Sequence, residues 1–351
     1  MVQLGWKAGT EQYPPDELLE YAIAAEEAGF DSIDVSDHFH PWAERGQAFF
    51  VWSWLGAVAA KTKKITVGTG VTCPILRYHP AVIAQAAATV AWLAPKRFFL
   101  GLGTDEALNE YSGTGQWPDY GTRRAQMGEA IELIRALWTG EKVTHRGVYY
   151  QTRQAKLYTR PSEAIPLYIS TMVPNSARFA GKYGDGFITV GAEEPETYRG
   201  IFENFNAGAK EAGKDPGQMP RMIELAVDYT DDEEKAIEHR KAYWAGTFVP
   251  ALFTERIYTP QMSEQNGKVV GSDTIREAVC ISADPEDHIS LAQRYIDLGF
   301  DHLFFHAAGP DQRAFIEGYG RDVLPKLRQR SQAQSKSAHG ERRKRRKRPA
   351  A

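Results

Sequence analysis

The sequence predicts an α/β domain of the TIM (β/α)8 barrel class that carries insertions. Short β-rich runs alternate with helical runs along most of the 351 residues, and this alternation predicts a parallel sheet covered by helices. Eight strand–helix units within residues 1–330 fit a closed barrel better than an open doubly wound sheet. Polar side chains follow several of the predicted strands, at the end where barrel enzymes place their active sites.

Each predicted strand is a short run of apolar, β-branched or aromatic residues. The eight strands are expected at Val2–Trp6, Ser32–Ser36, Lys64–Gly70, Arg97–Gly103, Pro166–Ser170, Gly186–Val190, Met222–Val227 and Asp301–His306. Apolar residues at helical spacing predict helices between the earlier strands, at Glu17–Ala28, Phe50–Lys61, His79–Leu93 and Arg123–Leu137. Two segments interrupt the alternation, a small hairpin within 139–165 and a longer insertion at 244–284. Both are expected over the barrel mouth, within one domain.

Composition indicates a globular cytoplasmic protein. A hydrophobic share of 42% is enough to bury a full core. No apolar run reaches the roughly 18 residues that a membrane helix needs, and the first residues have the pattern of a strand instead of a signal peptide. Cys73 and Cys280 are the only cysteines, too few for a disulfide framework or a four-thiolate metal site. We therefore expect reduced thiols and no membrane partner.

The formal net charge of −3 is unevenly distributed along the chain. Residues 326–351 contain 11 Lys and Arg residues and one Glu, so the body that precedes them is acidic. Residues 331–351 lack apolar periodicity and are expected to be disordered. A basic tail can contact nucleic acid or an anionic membrane, but a solvated appendage unrelated to catalysis is the favoured interpretation.

The run from Asp37 to Trp42 directly follows a predicted buried strand. The His-x-His pair His38 and His40 suggests three alternatives: a metal site, ordinary loop histidines, or acid–base catalysis near neutral pH. No histidine occurs between His145 and His239, so the middle strands offer none to complete a metal site, and no metal is predicted. Acid–base work is favoured, with Asp37 able to orient the imidazole.

A second cluster, Gly101–Glu110, follows the predicted fourth strand. Its glycines suggest a dinucleotide fingerprint only weakly, because Glu106 occupies the third glycine position. Thr104, Glu106 and Asn109 could instead present hydrogen-bonding groups at a barrel mouth, or Thr104 or Asp105 could simply cap a helix. Gly68–Ile75 and Glu11 follow two further strands, and four polar clusters at strand ends favour a single site.

These motifs closely resemble the coenzyme F420-dependent (deazaflavin) branch of the bacterial luciferase-like barrel family, over about residues 2–328. The motifs that carry the resemblance keep their order and fall at strand ends: Glu11-Gln12, Ser36–Trp42, Arg77–Gln85, Glu106–Glu110 and His306–Arg313. Within that branch the chain is similar to the group that contains glucose-6-phosphate dehydrogenases and secondary-alcohol dehydrogenases. A homodimer is expected.

The resemblance implies coenzyme F420 as cofactor and hydride transfer from a hydroxyl-bearing carbon to its ring. It implies that His38 removes the hydroxyl proton, that Trp42 and Glu11 hold or polarise the reacting groups, and that Glu106 supplies or accepts a proton on the coenzyme side. It also implies a non-proline cis peptide at Gly70–Val71. The further cofactor-binding residues are expected at Asp37, Cys73, Thr104, Asn109, Ser170, Thr171, Met172, Val173, Pro174, Asn175 and Val190.

The chain departs from the family pattern at two places on the coenzyme side. The loop that holds the coenzyme phosphate commonly contains glycines, whereas this chain has Ser170–Asn175. Its backbone can still donate to a phosphate, aided by hydroxyl groups. Asp105 stands where the family has a glycine before the glutamate.

The residues that grip phosphate in sugar-phosphate members are also missing. The matching stretches are Thr189–Glu194 and Phe253–Arg256, and Ala278 matches the arginine position. Acidic side chains repel a phosphate, so the expected substrate is a secondary alcohol or an unphosphorylated polyol or sugar. Arg256, Lys268 and Arg276 are possible replacements, which keeps a sugar-6-phosphate dehydrogenase as the alternative. An FMN-dependent monooxygenase and a relative that only binds the coenzyme are further alternatives.

Overall fold

The computed structural model describes residues 2–191, 194–254 and 256–331. Its strands are β1 (Gln3–Ala8), β2 (Ser32–Val35), β3 (Thr66–Thr69), β4 (Phe98–Leu102), β5 (Leu167–Ser170), β6 (Gly186–Val190), β7 (Arg221–Tyr229), β8 (Cys280–Ser282) and β9 (His302–His306). Parallel pairing runs from β1 to β7 in chain order, and β9 pairs with both β7 and β1. Eight strands therefore close a parallel barrel, as predicted.

Helices alternate with the strands and cover the outside of the barrel. They are α1 (Pro15–Ala28), α2 (Val51–Lys61), α3 (Pro80–Leu93), α4 (Ala107–Thr114), α5 (Tyr120–Trp138), α6 (Pro174–Tyr183), α7 (Pro195–Glu211), α8 (Glu233–Trp244), α9 (Ala251–Thr254), α10 (Pro260–Gly267), α11 (Ser272–Ala278), α12 (Pro285–Leu298) and α13 (Gln312–Gly318). Several begin with proline, which is preset for the first helical position and has no amide hydrogen to leave unpaired there. Within the described residues, none of these helices is both long and apolar enough to cross a membrane.

The barrel strands lie within two residues of the predicted positions at each end. They were recognisable because strands buried on both faces are continuous apolar runs. The ninth strand, β8, was not predicted and lies in the insertion at 244–284. It exists because β7 extends beyond the barrel and leaves Val227–Tyr229 free to pair with Cys280–Ser282.

The insertion lies over the mouth of the barrel, as expected. Its residues Leu252 and Ile257 pack in one apolar cluster with Trp42 and Leu108 from the loops after β2 and β4. The chain from 244 to 284 therefore forms one wall of the space above the strand ends. The predicted tail at 331–351 lies, apart from Ser331, outside the described residues.

The segment 139–165 differs from its predicted place. It contains antiparallel bridges at Val143–Ala155 and Arg146–Gln151. It lies against α3 and α5, where Trp92 Nε1 donates to the carbonyl of Arg160 and the backbone N–H of Tyr150 donates to Glu129. Only its tip approaches the mouth, where the Tyr150 hydroxyl donates to the carbonyl of Ile75. The reason is topological, since α5 ends and β5 begins at the opposite end of the barrel.

A buried ion pair ties the end of β7 to the loop after β9. Asp228 Oδ2 lies 2.9 Å from Arg240 Nη2, and both side chains are almost fully buried. Asp228 Oδ1 accepts from the backbone N–H groups of Ala308 and Gly309. Arg240 also donates to the carbonyl of His306. The pair thus fixes the loop that follows the last barrel strand.

Replacing Arg240 with methionine should destabilise the protein strongly. Arg240→Met leaves the buried Asp228 carboxylate without its counter-ion, and loss of one partner of a buried pair costs about 3–5 kcal/mol. The free energy of unfolding, from urea denaturation, measures this. Arg276→Met is the matched control, because Arg276 pairs with Glu233 and Asp273 on the exposed surface and should change little. Equal stabilities of the two variants would contradict a structural role for Arg240.

Candidate active site

The polar clusters that follow separate strands meet at one mouth of the barrel. Glu11 comes from the loop after β1, His38 from the loop after β2, and Glu106 from the loop after β4. One nitrogen of His38 and one carboxylate oxygen each of Asp105 and Glu106 lie within 4.8 Å of one another. The carboxyl ends of parallel barrel strands share one face, so residues distant in sequence become neighbours there.

His38 forms a close ion pair with Glu11. The distance from His38 Nδ1 to Glu11 Oε1 is 2.6 Å, and both side chains are largely buried. Thr10 Oγ1 donates to the other carboxylate oxygen of Glu11 at 3.0 Å. The group that orients the imidazole is therefore Glu11, and the suggestion that Asp37 does so is wrong. The loop after β1 reaches across to His38, which sequence order alone does not reveal.

The pair shifts the protonation of both partners. Burial alone lowers the pKa of His38, but the charge of Glu11 and its contact with the imidazole outweigh burial and raise that pKa above its ordinary value. Burial alone raises the pKa of Glu11, and the charge and contact of His38, with help from Lys7, lower it overall. The pair therefore favours an imidazolium beside a carboxylate.

Trp42 packs its ring against the imidazole of His38. The two ring centres are 4.7 Å apart and the rings are nearly perpendicular. The other side of Trp42 belongs to the apolar cluster formed by the insertion. Its indole Nε1 is buried and has no hydrogen-bond partner among the described residues. Trp42 therefore shields His38 and leaves one donor for a bound molecule.

Asp37 is held by the protein on both carboxylate oxygens. One oxygen accepts from Trp52 Nε1 and Thr72 Oγ1, at 3.1 and 2.9 Å. The other accepts from the hydroxyl of Tyr78 at 2.9 Å and lies 3.4 Å from the Arg77 guanidinium. The carboxylate is fully buried, so it fixes the loop that presents His38. Because both carboxylate oxygens have protein partners, contact of this side chain with a cofactor stays a prediction.

Asp105 and Glu106 bring two carboxyl groups to the side of the mouth that faces His38. Glu106 occupies the N-cap position of α4 without making a side-chain cap hydrogen bond, so the alternative of capping by Thr104 or Asp105 is wrong. Asp105 Oδ2 and Glu106 Oε2 are both buried without a partner among the described residues. These oxygens are available to a ligand or to each other.

Asn109 connects the two sides of the mouth. Its Oδ1 accepts from the backbone N–H groups of Phe39 and His40, at 2.9 and 3.0 Å, and its Nδ2 lies 3.5 Å from Asp105 Oδ1. The side chain is fully buried. Asn109 therefore holds the loop of His38 next to the loop of Asp105, and its role as a cofactor contact stays a prediction.

The peptide bond between Gly70 and Val71 is cis, as the family resemblance implied. Its carbonyl oxygen, on Gly70, accepts from Lys7 Nζ at 2.6 Å. A Cβ atom on Gly70 would lie 2.1 Å from Asp34 Oδ2, and one on Gly103 would lie 2.5 Å from Val71 Cγ2. Both glycines are therefore required by close packing.

A layer of buried charge lies inside the barrel beneath the mouth. Lys7 Nζ is 3.4 Å from Asp34 Oδ2 and 3.3 Å from Glu224 Oε2, and Glu224 Oε1 is 3.0 Å from His306 Nδ1. Burial opposes the charge on Lys7, but the charges of Asp34 and Glu224 raise its pKa overall. Sequence reasoning missed this layer. The feature of the sequence that could have revealed this layer is a charged residue inside an otherwise apolar predicted strand.

The remaining predicted cofactor residues lie at the ends of β5 and β6 and near β3. Thr171 Oγ1 donates to the carbonyl of Val173 at 3.1 Å, and Met172 and Val173 are exposed. This turn leads into α6, which begins at Pro174 and has no side-chain cap. The N–H groups of its first turn, near Asn175, are therefore available to an anion.

Three further predicted residues differ in accessibility. Val190 at the end of β6 is partly exposed, and its carbonyl accepts from the Tyr198 hydroxyl. Cys73 is fully buried, and burial raises the pKa of its thiol. Thr104 is half-buried. Direct contact of Cys73 with a cofactor would require a molecule that enters the interior of the site.

Comparison with known proteins places this geometry in a family. The family model described as "Luciferase-like monooxygenase" matches residues 2–302. The F420-dependent glucose-6-phosphate dehydrogenase of Mycolicibacterium gilvum is 41% identical over 331 residues, which cover 93% of this chain and 98% of that protein. The F420-dependent glucose-6-phosphate dehydrogenase 2 of Rhodococcus jostii has the same identity and coverage.

Solved structures agree with this placement. An F420-dependent secondary alcohol dehydrogenase in complex with an F420-acetone adduct superposes with a TM-score of 0.88 and 39% identity, covering 93% of this chain and 99% of that one. The coenzyme F420-dependent tetrahydromethanopterin reductase of Methanopyrus kandleri has a TM-score of 0.76 at 23% identity, which shows a shared fold. The chain therefore belongs to the luciferase-like family, in the group that contains F420-dependent glucose-6-phosphate and secondary alcohol dehydrogenases.

Proposed function

We propose that this protein is a coenzyme F420-dependent dehydrogenase that takes hydride from a hydroxyl-bearing carbon of a secondary alcohol or an unphosphorylated polyol or sugar. The observation that carries the proposal is the buried His38–Glu11 pair, which faces Glu106 across the mouth. The names of the relatives above support F420 as the coenzyme. The proposal involves no metal ion.

The residues at the mouth fit such a coenzyme. Three buried atoms lack hydrogen-bond partners among the described residues: Trp42 Nε1, Asp105 Oδ2 and Glu106 Oε2. A heterocycle with nitrogen and oxygen at its edge would supply such partners. The turn at the start of α6 offers backbone N–H groups to a phosphate. When bound, coenzyme F420 would supply a ring that accepts the hydride from the substrate carbon.

His38 acts as the base that removes the hydroxyl proton of the substrate. Its Nδ1 faces Glu11, so Nε2 is the nitrogen left to accept a proton. The Glu11 carboxylate stabilises the imidazolium that forms, as a buried carboxylate does in other acid–base pairs. Trp42 excludes water from the imidazole. Glu106 holds and moves a proton on the opposite side of the mouth.

Charge at the mouth favours a substrate without phosphate. Phosphate recognition requires cationic partners, yet the alanine at position 278 packs in an apolar cluster. Arg276, one possible replacement, is held at the surface by Glu233 and Asp273, at 2.7 and 2.9 Å. Residues 192, 193 and 255 lie outside the described residues. Arg256 and Lys268 keep a sugar-6-phosphate dehydrogenase, the activity named for the curated relatives, as the second candidate.

We also propose that the protein works in the cytoplasm as a homodimer. Three large apolar side chains on α3, Val82, Trp92 and Leu93, are about half exposed, and exposed apolar surface often marks an interface. The size of the particle in solution, from light scattering, tests the dimer.

Removal of the His38 imidazole should abolish most turnover. His38→Ala loses the base, and positioned acid–base groups typically contribute about 10²–10⁴-fold, so kcat should fall by that factor while coenzyme affinity is retained. Loss of F420 absorbance measures turnover, and a fluorescence titration measures binding. His40→Ala in the same loop is the control and should lose far less. Full turnover by His38→Ala would refute the assignment.

Removal of the Glu11 charge should move the pH profile of alcohol oxidation. The reaction needs neutral His38, so its rate rises as pH passes the raised pKa of His38. Glu11→Gln removes the charge that raises this pKa, so the acid limb of kcat/KM should move to lower pH. NMR titration of His38 in the ligand-free protein should show the same direction. Glu20→Gln, at an exposed position of α1, should leave both unchanged, and an unmoved limb in Glu11→Gln would contradict the pairing.

A substrate panel tests the substrate class. With oxidised F420, we expect kcat/KM for a secondary alcohol or an unphosphorylated polyol to exceed that for glucose 6-phosphate by about tenfold or more, equal to one interaction of about 1.4 kcal/mol. Addition of FMN in place of F420 serves as the cofactor control. Turnover of glucose 6-phosphate but not of isopropanol or free sugars would replace the proposed substrate with the second candidate.

A further inference from the structure

We propose that Asp105 and Glu106 hold one proton between them, and that Asp105 is a positioning residue that keeps this proton available to Glu106 at neutral pH. Asp105 occupies the position at which the family resemblance implies a glycine. The inference rests on the proposed function only for where the proton goes, because the shared proton itself is a property of the ligand-free protein.

The backbone at Asp105 is the first observation. Its φ angle is 53°, in the left-handed region that suits glycine and that Asp and Asn tolerate better than most residues. The carboxyl groups of these two successive residues, Asp105 and Glu106, each have an oxygen within 4.8 Å of the other. Asn109 Nδ2 lies 3.5 Å from Asp105 Oδ1. The side-chain oxygen of Asn109, Oδ1, accepts hydrogen bonds from the backbone of the His38 loop.

The second observation is that one oxygen of each carboxyl group lacks a hydrogen-bond partner. Asp105 Oδ2 and Glu106 Oε2 are buried, and neither accepts a hydrogen bond from the described residues. Two buried ionised carboxylates without donors would be strongly unfavourable. One proton placed between them satisfies both, because a carboxylic acid donates to a neighbouring carboxylate. Two carboxyl groups that share one proton are the arrangement of aspartic proteases.

The surrounding charges point the same way. Glu110 from α4 places a carboxyl group within 4.8 Å of an Asp105 oxygen, and the neutral thiol of Cys73 is equally close. The nearest cations are His38, paired with Glu11, and Arg77, which pairs with Glu110 and Asp37. Neither cation is thus free to pair with Asp105. Arg123, beyond Glu106, stacks its guanidinium on the Trp117 ring.

These surroundings raise the pKa of Asp105 well above its usual value. Burial is the largest cause, followed by the charge of Glu106 and the hydrogen bond to it, while His38 and Arg77 oppose the rise. The pair therefore titrates as a unit and not as two independent acids.

The shared proton balances charge across the site during alcohol oxidation. With the coenzyme bound, the substrate O–H bond would break and its proton would form an N–H bond on His38, while the C–H bond would give up its electron pair as hydride, which the coenzyme would accept. The carboxyl pair would release its proton toward the coenzyme, so that one positive charge would be gained at His38 and one proton would be lost less than 5 Å away. The total charge of these protein groups is unchanged.

Infrared difference spectroscopy of the ligand-free protein tests the shared proton directly. With EDTA present to remove divalent cations, the wild-type spectrum minus that of Asp105→Asn should contain the C=O stretch of a protonated carboxyl at neutral pH. Glu106→Gln should move the titration of that band to lower pH, because the neighbouring charge is gone. Asp273→Asn, at an exposed position on α11, is the matched control and should produce no band. Absence of the band from the wild-type minus Asp105→Asn spectrum would overturn the proposal.

The pH profile of turnover separates a positioning role from a merely structural one. Above the pH at which the pair loses its proton, turnover should fall, so this alkaline limb should move to lower pH in Asp105→Asn and in Asp105→Gly. Glycine fits the left-handed backbone, which keeps Asp105→Gly folded. An unmoved limb in both variants would refute the role of Asp105. A protein that shows the infrared band but no turnover with F420 would refute the proposed function and leave the shared proton standing.

Discussion

The pairing of β9 with β1 is the constraint on which the rest of the structure depends. Because this pairing closes a parallel sheet into a ring, every strand ends at the same face. The loops after β1, β2, β3 and β4 then surround one mouth, and Glu11, His38 and Glu106 meet there. An open sheet would spread these loops along an edge. The site is therefore a direct product of closure, and its residues need not be close in the sequence.

Closure also forces charged groups into a confined interior, where each needs a partner. Below the mouth, Lys7 is placed between Asp34 and Glu224 and donates to the carbonyl of Gly70. At the mouth, Glu11 forms an ion pair with His38, and Arg77 forms ion pairs with Asp37 and Glu110. Among the described residues, Asp105 and Glu106 form no ion pair, and one oxygen of each has no hydrogen-bond partner. Unpaired polar atoms are thus concentrated where a ligand or a shared proton can satisfy them.

The sequence predicted the barrel well because strands buried on both faces give continuous apolar runs that are easy to recognise. It placed His38, Trp42 and Glu106 at strand ends, and the resemblance to a family implied the cis bond at Gly70. It could not show that Glu11 instead of Asp37 contacts the imidazole, since that depends on how one loop crosses another. The path of 139–165 along the barrel wall and the strand β8 were missed for the same reason, because both depend on tertiary contacts.

The apolar cluster around Trp42 has a consequence for the evolution and engineering of this scaffold. Trp42 packs against the imidazole and shares an apolar cluster with Leu252 and Ile257 of the insertion. The proton-handling groups sit on the barrel loops, whereas the opposite wall of the pocket is built by a separate segment of chain. Changes at 244–284 can therefore reshape which molecules enter while the acid–base groups keep their positions. This division allows substitutions in the insertion to change the accepted substrate while the residues on the barrel loops stay the same.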